Sequence, residues 1–177
     1  MEKDPQKASY KEAVRTKKIA LSAVLMALGV LLASFLWIPI GPTKVFPGQH
    51  IVNAIAGILL GPFYALFIAL VIGIIRKSLG WGTIFAFPGG LPGGVVVGIL
   101  NKYIKKTDYA ALAEPLGTVL IGGTISALFF APLIGVAPNI AFFWIAFAVS
   151  CIPGSIMGLI ILKILRKTGI LNEFLEE

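Results

Sequence analysis

Acidic residues are scarce in this chain. The eight Asp and Glu are Glu2, Asp4, Glu12, Asp108, Glu114, Glu173, Glu176 and Glu177. None lies between Ala13 and Thr107, and none between Pro115 and Asn172. On this reading no carboxylate enters an apolar run. Proton- and cation-coupled carriers commonly use buried Asp or Glu, so autonomous ion-driven transport is disfavoured. Any solute movement would then draw its energy from a partner. Cysteine occurs once, as Cys151 inside an apolar run. It cannot form an internal disulfide and reads as a small packing residue. Histidine also occurs once, as His50. No His-Glu-x-x-His helix and no Cys/His cluster is present, which argues against a metal centre. The Gly154-Ser155 pair has only His50 as a histidine partner and, on this reading, no membrane carboxylate, so a serine-type intramembrane protease fits poorly. A phosphate-binding loop with its lysine is missing too. These absences predict a protein that is not an enzyme and carries no cofactor.

Apolar residues make up 58% of the chain, charged residues only 13%, and mean hydropathy is +0.94. A soluble domain carries about a quarter charged residues. A membrane-crossing helix needs roughly 20 apolar residues, so the chain has room for about six compact spans. The prediction is an all-α, polytopic bundle. The first span is Ile19 to Trp37, which covers about 28 Å at the helical rise. The segment Ile38 to His50, with Pro39, Pro42, Pro47, Gly41 and Gly48, cannot continue it. A short second span runs from about Gln49 to Leu60, and Gly61-Pro62 turns into a third, Phe63 to Ile75. The glycine-rich stretch from Arg76 to Gly94 reads as a loop or partly re-entrant segment, since irregular backbone at membrane depth must line a cavity or be buried in protein. A fourth span runs from about Pro92 to Ile104. A polar linker, Lys105 to Glu114, leads to a fifth, Pro115 to about Leu133. The sixth is Ile140 to Leu165.

Basic residues set the orientation. They cluster at Lys3 to Lys18, Lys102 to Lys106 and Lys163 to Lys167, beside apolar runs rather than along a nucleic-acid face. The positive-inside rule then places both termini in the cytoplasm of a multi-pass cell-membrane protein. The expected organisation is a basic cytoplasmic segment over 1–18, a transmembrane domain over 19–165 and a cytoplasmic tail over 166–177. Arg76 and Lys77 fall on the outer side and break the pattern. Either they snorkel at a helix end, or they face a ligand.

Small residues recur at helical spacing. Gly57/Gly61, Gly94/Gly98 and Gly154/Gly158 permit close helix approach and read as internal packing. Ala23 and Ala27 lie one turn apart on the first span and could serve another subunit. At the outer end, Thr43, Lys44, Gln49, His50, Asn53, Arg76, Trp81, Thr83, Phe85 and Asn139 are candidate substrate-binding residues, joining hydrogen-bonding groups to an aromatic platform. Each alone reads as a loop, cap or interface residue; a lone His at a loop-to-helix junction is commonly a local cap.

The run IPIGPTKVFPGQHIVNAIAGILLGPFYA, followed by GIIRKSLGWGTIFAFPGGLPGG, resembles the ThiW-type substrate-binding components of energy-coupling-factor transporters. The resemblance extends from the basic N-terminus through the sixth span. It implies a six-helix membrane protein with an outward pocket, a transmembrane coupling subunit and cytoplasmic ATPase subunits as partners, and a thiamin precursor, hydroxyethylthiazole, as ligand. Ala23 and Ala27 are similar to the face such components use against the coupling subunit. With no carboxylate expected in the pocket, a neutral thiazole alcohol fits better than a thiazolium cation, although cation–π contact with Trp81 or Phe85 could help a cation. A phosphorylated form would suit Arg76, Lys77, Lys44 and His50. The alternative is a membrane assembly or scaffold subunit that transports nothing. A membrane-embedded transferase is a third reading, against which the expected lack of membrane carboxylates speaks.

Overall fold

The computed structural model describes residues 5–40, 43–104, 106–169 and 171. Helix α1 spans Pro5–Phe35 without interruption. The basic segment is therefore largely the first turns of a long helix, and the expected boundary at 18/19 falls inside it. Beyond α1, β1 (Ile38–Ile40) and β2 (Thr43–Val45) form a short antiparallel hairpin, pairing Ile38 with Val45 and Ile40 with Thr43. The prolines and glycines that forbid a helix here left the hairpin itself unsignalled.

Helix α2 (Pro47–Leu60) is the axis of the bundle. Its 14 residues reach only about 21 Å, short of the hydrocarbon thickness. Every residue from Pro47 to Ile58 is buried, so it is protein rather than lipid that surrounds it. Beyond Asn53 the helix is apolar on every face, which suits such a position, and its polar residues Gln49, His50 and Asn53 lie toward the hairpin end. Gly61, at φ +85° with open space around it, turns the chain into α3 (Pro62–Ser78). It is the turn residue expected there, and its backbone also packs closely on α4, where a Cβ at Gly98 would come within 2.8 Å of the Gly61 carbonyl carbon. Gly57 does pack as expected: a Cβ there would meet the Gly94 carbonyl at 2.8 Å.

The expected loop over 76–94 is confined to residues 79–85. Helix α4 begins at Ala86, runs to Ile99 and continues in wider π-helical turns over Leu100–Ile104. Pro88 sits in its first turn, where a missing N–H leaves nothing unpaired, so the proline-glycine run does not prevent a helix start. The expected polar linker is also corrected. Thr107 accepts a hydrogen bond from the Tyr109 N–H, and helical structure begins at Asp108. This element, α5, covers Asp108–Leu133, starting as a 3-10 turn and widening into π-helical segments over Leu116–Gly123 and Ser126–Phe130. Glu114 is thereby carried into the bundle. Asn139 caps α6 (Ile140–Lys167).

Among the described residues the fold is all-α apart from the hairpin, and three helices are long and apolar enough to cross a membrane: Ser9–Phe35, Asp108–Leu133 and Ile140–Lys167. Large apolar side chains face outward on several helices, among them Val24, Leu31, Phe67, Leu120, Phe129, Ile145 and Ile152. In water such a surface would drive association; in lipid it is the solvated face. The main core gathers Ile51, Val52 and Ile55 of α2 with Ile68 and Ile72 of α3, Val97 of α4 and Leu162 of α6. A second apolar cluster at the hairpin end joins Val45, Phe85, Phe143 and Phe147.

Candidate binding site at the hairpin end of the bundle

Two consecutive polar residues, Gln49 and His50, occupy the first turn of α2 and are both buried. Arg76 comes down from the end of α3 to meet them. Its side chain does not snorkel: it is 2% exposed, donates from Nη1 to Gln49 Oε1, and lies over the Phe46 ring at 3.5 Å. The partner of this buried cation is therefore a side-chain carbonyl and an aromatic face. The chain turns sharply just beyond, where the N–H groups of Trp81 and Gly82 both donate to the Arg76 carbonyl and Gly80 adopts φ +73°. That turn brings Thr83 and Phe85 back toward Arg76.

A cavity of about 30 Å³ opens between these elements, room for roughly one or two waters. Of the expected residues, Lys44, Gln49, His50, Arg76, Thr83 and Phe85 line it. Phe46, Phe147 and Ser150 also line it, and sequence reading had not singled them out. Among the described residues, the buried atoms Gln49 Nε2, Arg76 Nε and Ser150 Oγ have no hydrogen-bond partner. Unspent donors of this kind are rare in a packed interior. An adjoining apolar cavity of about 270 Å³ lies between the α3–α4 and α5–α6 turns, and the two share Thr83 and Phe85.

Behind the first cavity sits a carboxylate. Glu114 is 0% exposed, and its Oε1 is 2.7 Å from His50 Nδ1, 2.7 Å from Thr118 Oγ1 and 3.1 Å from Asn53 Nδ2. Asn53 also donates to the Gly90 carbonyl at 2.8 Å. The expectation of a bundle free of acid is overturned. The cause is local: a Cβ at Gly93 would overlap both Glu114 Oε1 and Thr118 Oγ1, and one at Gly90 would overlap Gln49 Nε2. Gly90 and Gly93 of the FPGGLPGG run are slots in α4 that admit polar side chains from α2 and α5, whereas Gly89 makes room for the Phe147 ring and Gly94 for Ala65.

A family model described as thiamine-precursor transporter protein (ThiW) matches residues 19–168. The chain belongs to that family. A comparison with curated proteins finds no match. The ThiW match fits a transporter component rather than an enzyme, embedded in the membrane by several helices.

The remaining expected residues of this ThiW chain lie elsewhere. Trp81 is 37% exposed at the α3–α4 turn and is not in the cavity wall. Asn139 spends its side chain as a helix cap, accepting from the Phe142 N–H at 2.9 Å. Asn53 is one layer deeper, bonded to Glu114. Thr43 belongs to β2, but its side chain lies outside the described residues. Lys44 lines the cavity edge, with its ammonium 4.4 Å from the Trp37 ring centre. Glu114 was missed because Pro115 looked like the helix start. The signal that could have found it is Thr107-Asp108, a capping residue with an acid in the first turn.

Proposed function

We propose that this chain is the substrate-binding component of an energy-coupling-factor importer and that it takes hydroxyethylthiazole, as the neutral alcohol, into the cavity at the hairpin end. The observation that carries this reading is the convergence of unspent polar atoms, Gln49 Nε2, Arg76 Nε and Ser150 Oγ, beside the aromatic walls Phe46, Phe85 and Phe147. A heteroaromatic ring with an acceptor nitrogen and a hydroxyl suits such a wall. The charges of Arg76 and Glu114 offset one another, which favours a ligand without net charge. The cavity has to widen to admit a thiazole, and the adjoining apolar space behind Phe85 offers room. A scaffold subunit would have no use for unspent buried donors, which destabilise a fold.

The chain carries no nucleotide-binding loop, so ATP hydrolysis belongs to cytoplasmic partner subunits reached through a transmembrane coupling subunit. Ala23 and Ala27 are both exposed on α1, whereas Gly154 and Gly158 are consumed in packing against α2. The alanine pair therefore remains for a partner helix, and both termini lie on the cytoplasmic side. The deciding experiment is calorimetric titration of the purified protein with hydroxyethylthiazole, its phosphate, thiamin and the pyrimidine precursor. Saturable binding of the alcohol, tighter than of the other three, is expected. Absence of binding to all four would remove the reading. Ala23→Trp and Ala27→Trp are expected to abolish uptake while leaving this binding intact; equal loss of both would mean the face packs internally.

A further inference from the structure

Resting on that reading, we propose that Glu114 acts as a specificity-determining positioning residue. It holds the proton of His50 on Nδ1, so that the ring offers a bare Nε2 to the cavity as the acceptor for the ligand's hydroxyl hydrogen.

The argument starts at Glu114 Oε1, which three groups approach. Asn53 Nδ2 faces both Oε1 and the Gly90 carbonyl. A backbone carbonyl only accepts, so the amide nitrogen must be the atom placed there. Oε1 therefore accepts from Asn53. Oε1 is an acceptor in an ionised carboxylate, and His50 Nδ1, at 2.7 Å, must bring the hydrogen. The two ring nitrogens are coupled in this way: the bond made by one fixes the role of the other. Arg76 contributes one buried positive charge and Glu114 one negative. A neutral imidazole keeps this buried set balanced, whereas an imidazolium would leave an uncompensated cation in the interior. Nε2 is then a lone pair, and His50 is part of the cavity wall.

The other unspent polar atoms of that wall, Gln49 Nε2 and Arg76 Nε, are donors. Ser150 can serve either way. His50 Nε2 is the acceptor that completes the set. A ligand hydroxyl can then donate to His50 while accepting from Arg76, Gln49 or Ser150. An ether or a fully ionised phosphate offers no hydrogen to Nε2 and is discriminated against by an unpaired buried acceptor.

His50 is the single histidine of the chain, so nitrogen NMR of the full-length protein labelled with ¹⁵N-histidine reads its tautomer without mutation. A pyrrole-type Nδ1 and a pyridine-type Nε2 are expected. The reverse tautomer, or two protonated nitrogens, would overturn the proposal. Calorimetry on the same protein compares hydroxyethylthiazole with its methyl ether. The ether is expected to bind about tenfold or more weakly, the loss of one good hydrogen bond. Glu114→Gln, whose amide can donate to Nδ1 as well as accept from it, is expected to bring the alcohol toward the ether and leave the ether's affinity unchanged. Loss of both affinities together would indicate a structural role only and sink the assignment. Equal binding of alcohol and ether by the unmodified protein would refute the proposal and leave the thiazole reading standing. Failure of both ligands to bind would refute that reading, while the NMR result still judges the tautomer.

Discussion

Two carboxylates enter α5 within its first turns, and they meet opposite fates. Asp108 pairs with Arg166 of α6 at 2.5 Å, with the arginine side chain 42% exposed and the aspartate 8%. Nearby, the Lys163 ammonium lies 4.1 Å from the Tyr109 ring centre, so at this end of the bundle the Arg166 half of the pair keeps access to solvent while Asp108 is buried. Glu114 is wholly buried, gathers three polar groups around one oxygen, and backs a cavity. The first arrangement is a staple between helix ends. The second backs a cavity whose wall leaves Gln49 Nε2, Arg76 Nε and Ser150 Oγ without partners. Burial and company distinguish them, not residue type.

The comparison breaks most visibly at His50. His50→Ala leaves the Glu114 carboxylate in the interior with only Asn53 and Thr118, and is expected to destabilise the fold by about 1.5–3 kcal/mol, the scale of a lost hydrogen bond to a charged group. Denaturant or thermal unfolding in detergent measures it. A change as small as that expected for the Asp108 pair would erase the distinction. Arg76→Ala is expected to weaken binding of a phosphate ester by about 2 kcal/mol or more. The loss for the neutral alcohol should be smaller and nearly independent of salt. Titration of both ligands separates the cases, and tighter binding of a cationic thiazolium than of the alcohol would defeat the charge argument.

Glycine substitutions sharpen the contrast between the two ends. Gly93→Val and Gly98→Val both overpack α4, the first against Glu114 and Thr118, the second against the Pro62 backbone. Each is expected to cost about 1–3 kcal/mol in stability. Only the variant at Gly93 should also lose ligand binding, since the Gly98 contact lies away from the cavity. The smallest effect is expected from Asp108→Asn. Its partner is too exposed for a large contribution, so stability should fall by about 0.2–1 kcal/mol, and the difference should shrink in high salt. Comparing melting temperatures at low and high ionic strength is sufficient.

The sequence by itself determined the class of the molecule. Apolar runs without charge have to be helical in lipid, because each backbone group must find its partner within its own segment. Turn glycines and the close-packing glycine pairs were legible for the same reason: their physics is local. Six of the ten residues expected at the site do line the cavity. The tertiary structure alone decided the rest. Whether Glu114 ends a polar linker or enters the core depends on a helix that begins at Thr107-Asp108 and on the room left at Gly93, a residue of another helix. Whether Arg76 snorkels or turns inward depends on Gln49 and Phe46, which lie far from it along the chain. Trp81 and Asn139 looked equally suitable by composition, but the first faces outward and the second is committed to its own helix end. Side-chain partners across a bundle are set by packing geometry, and no periodicity along one segment encodes them.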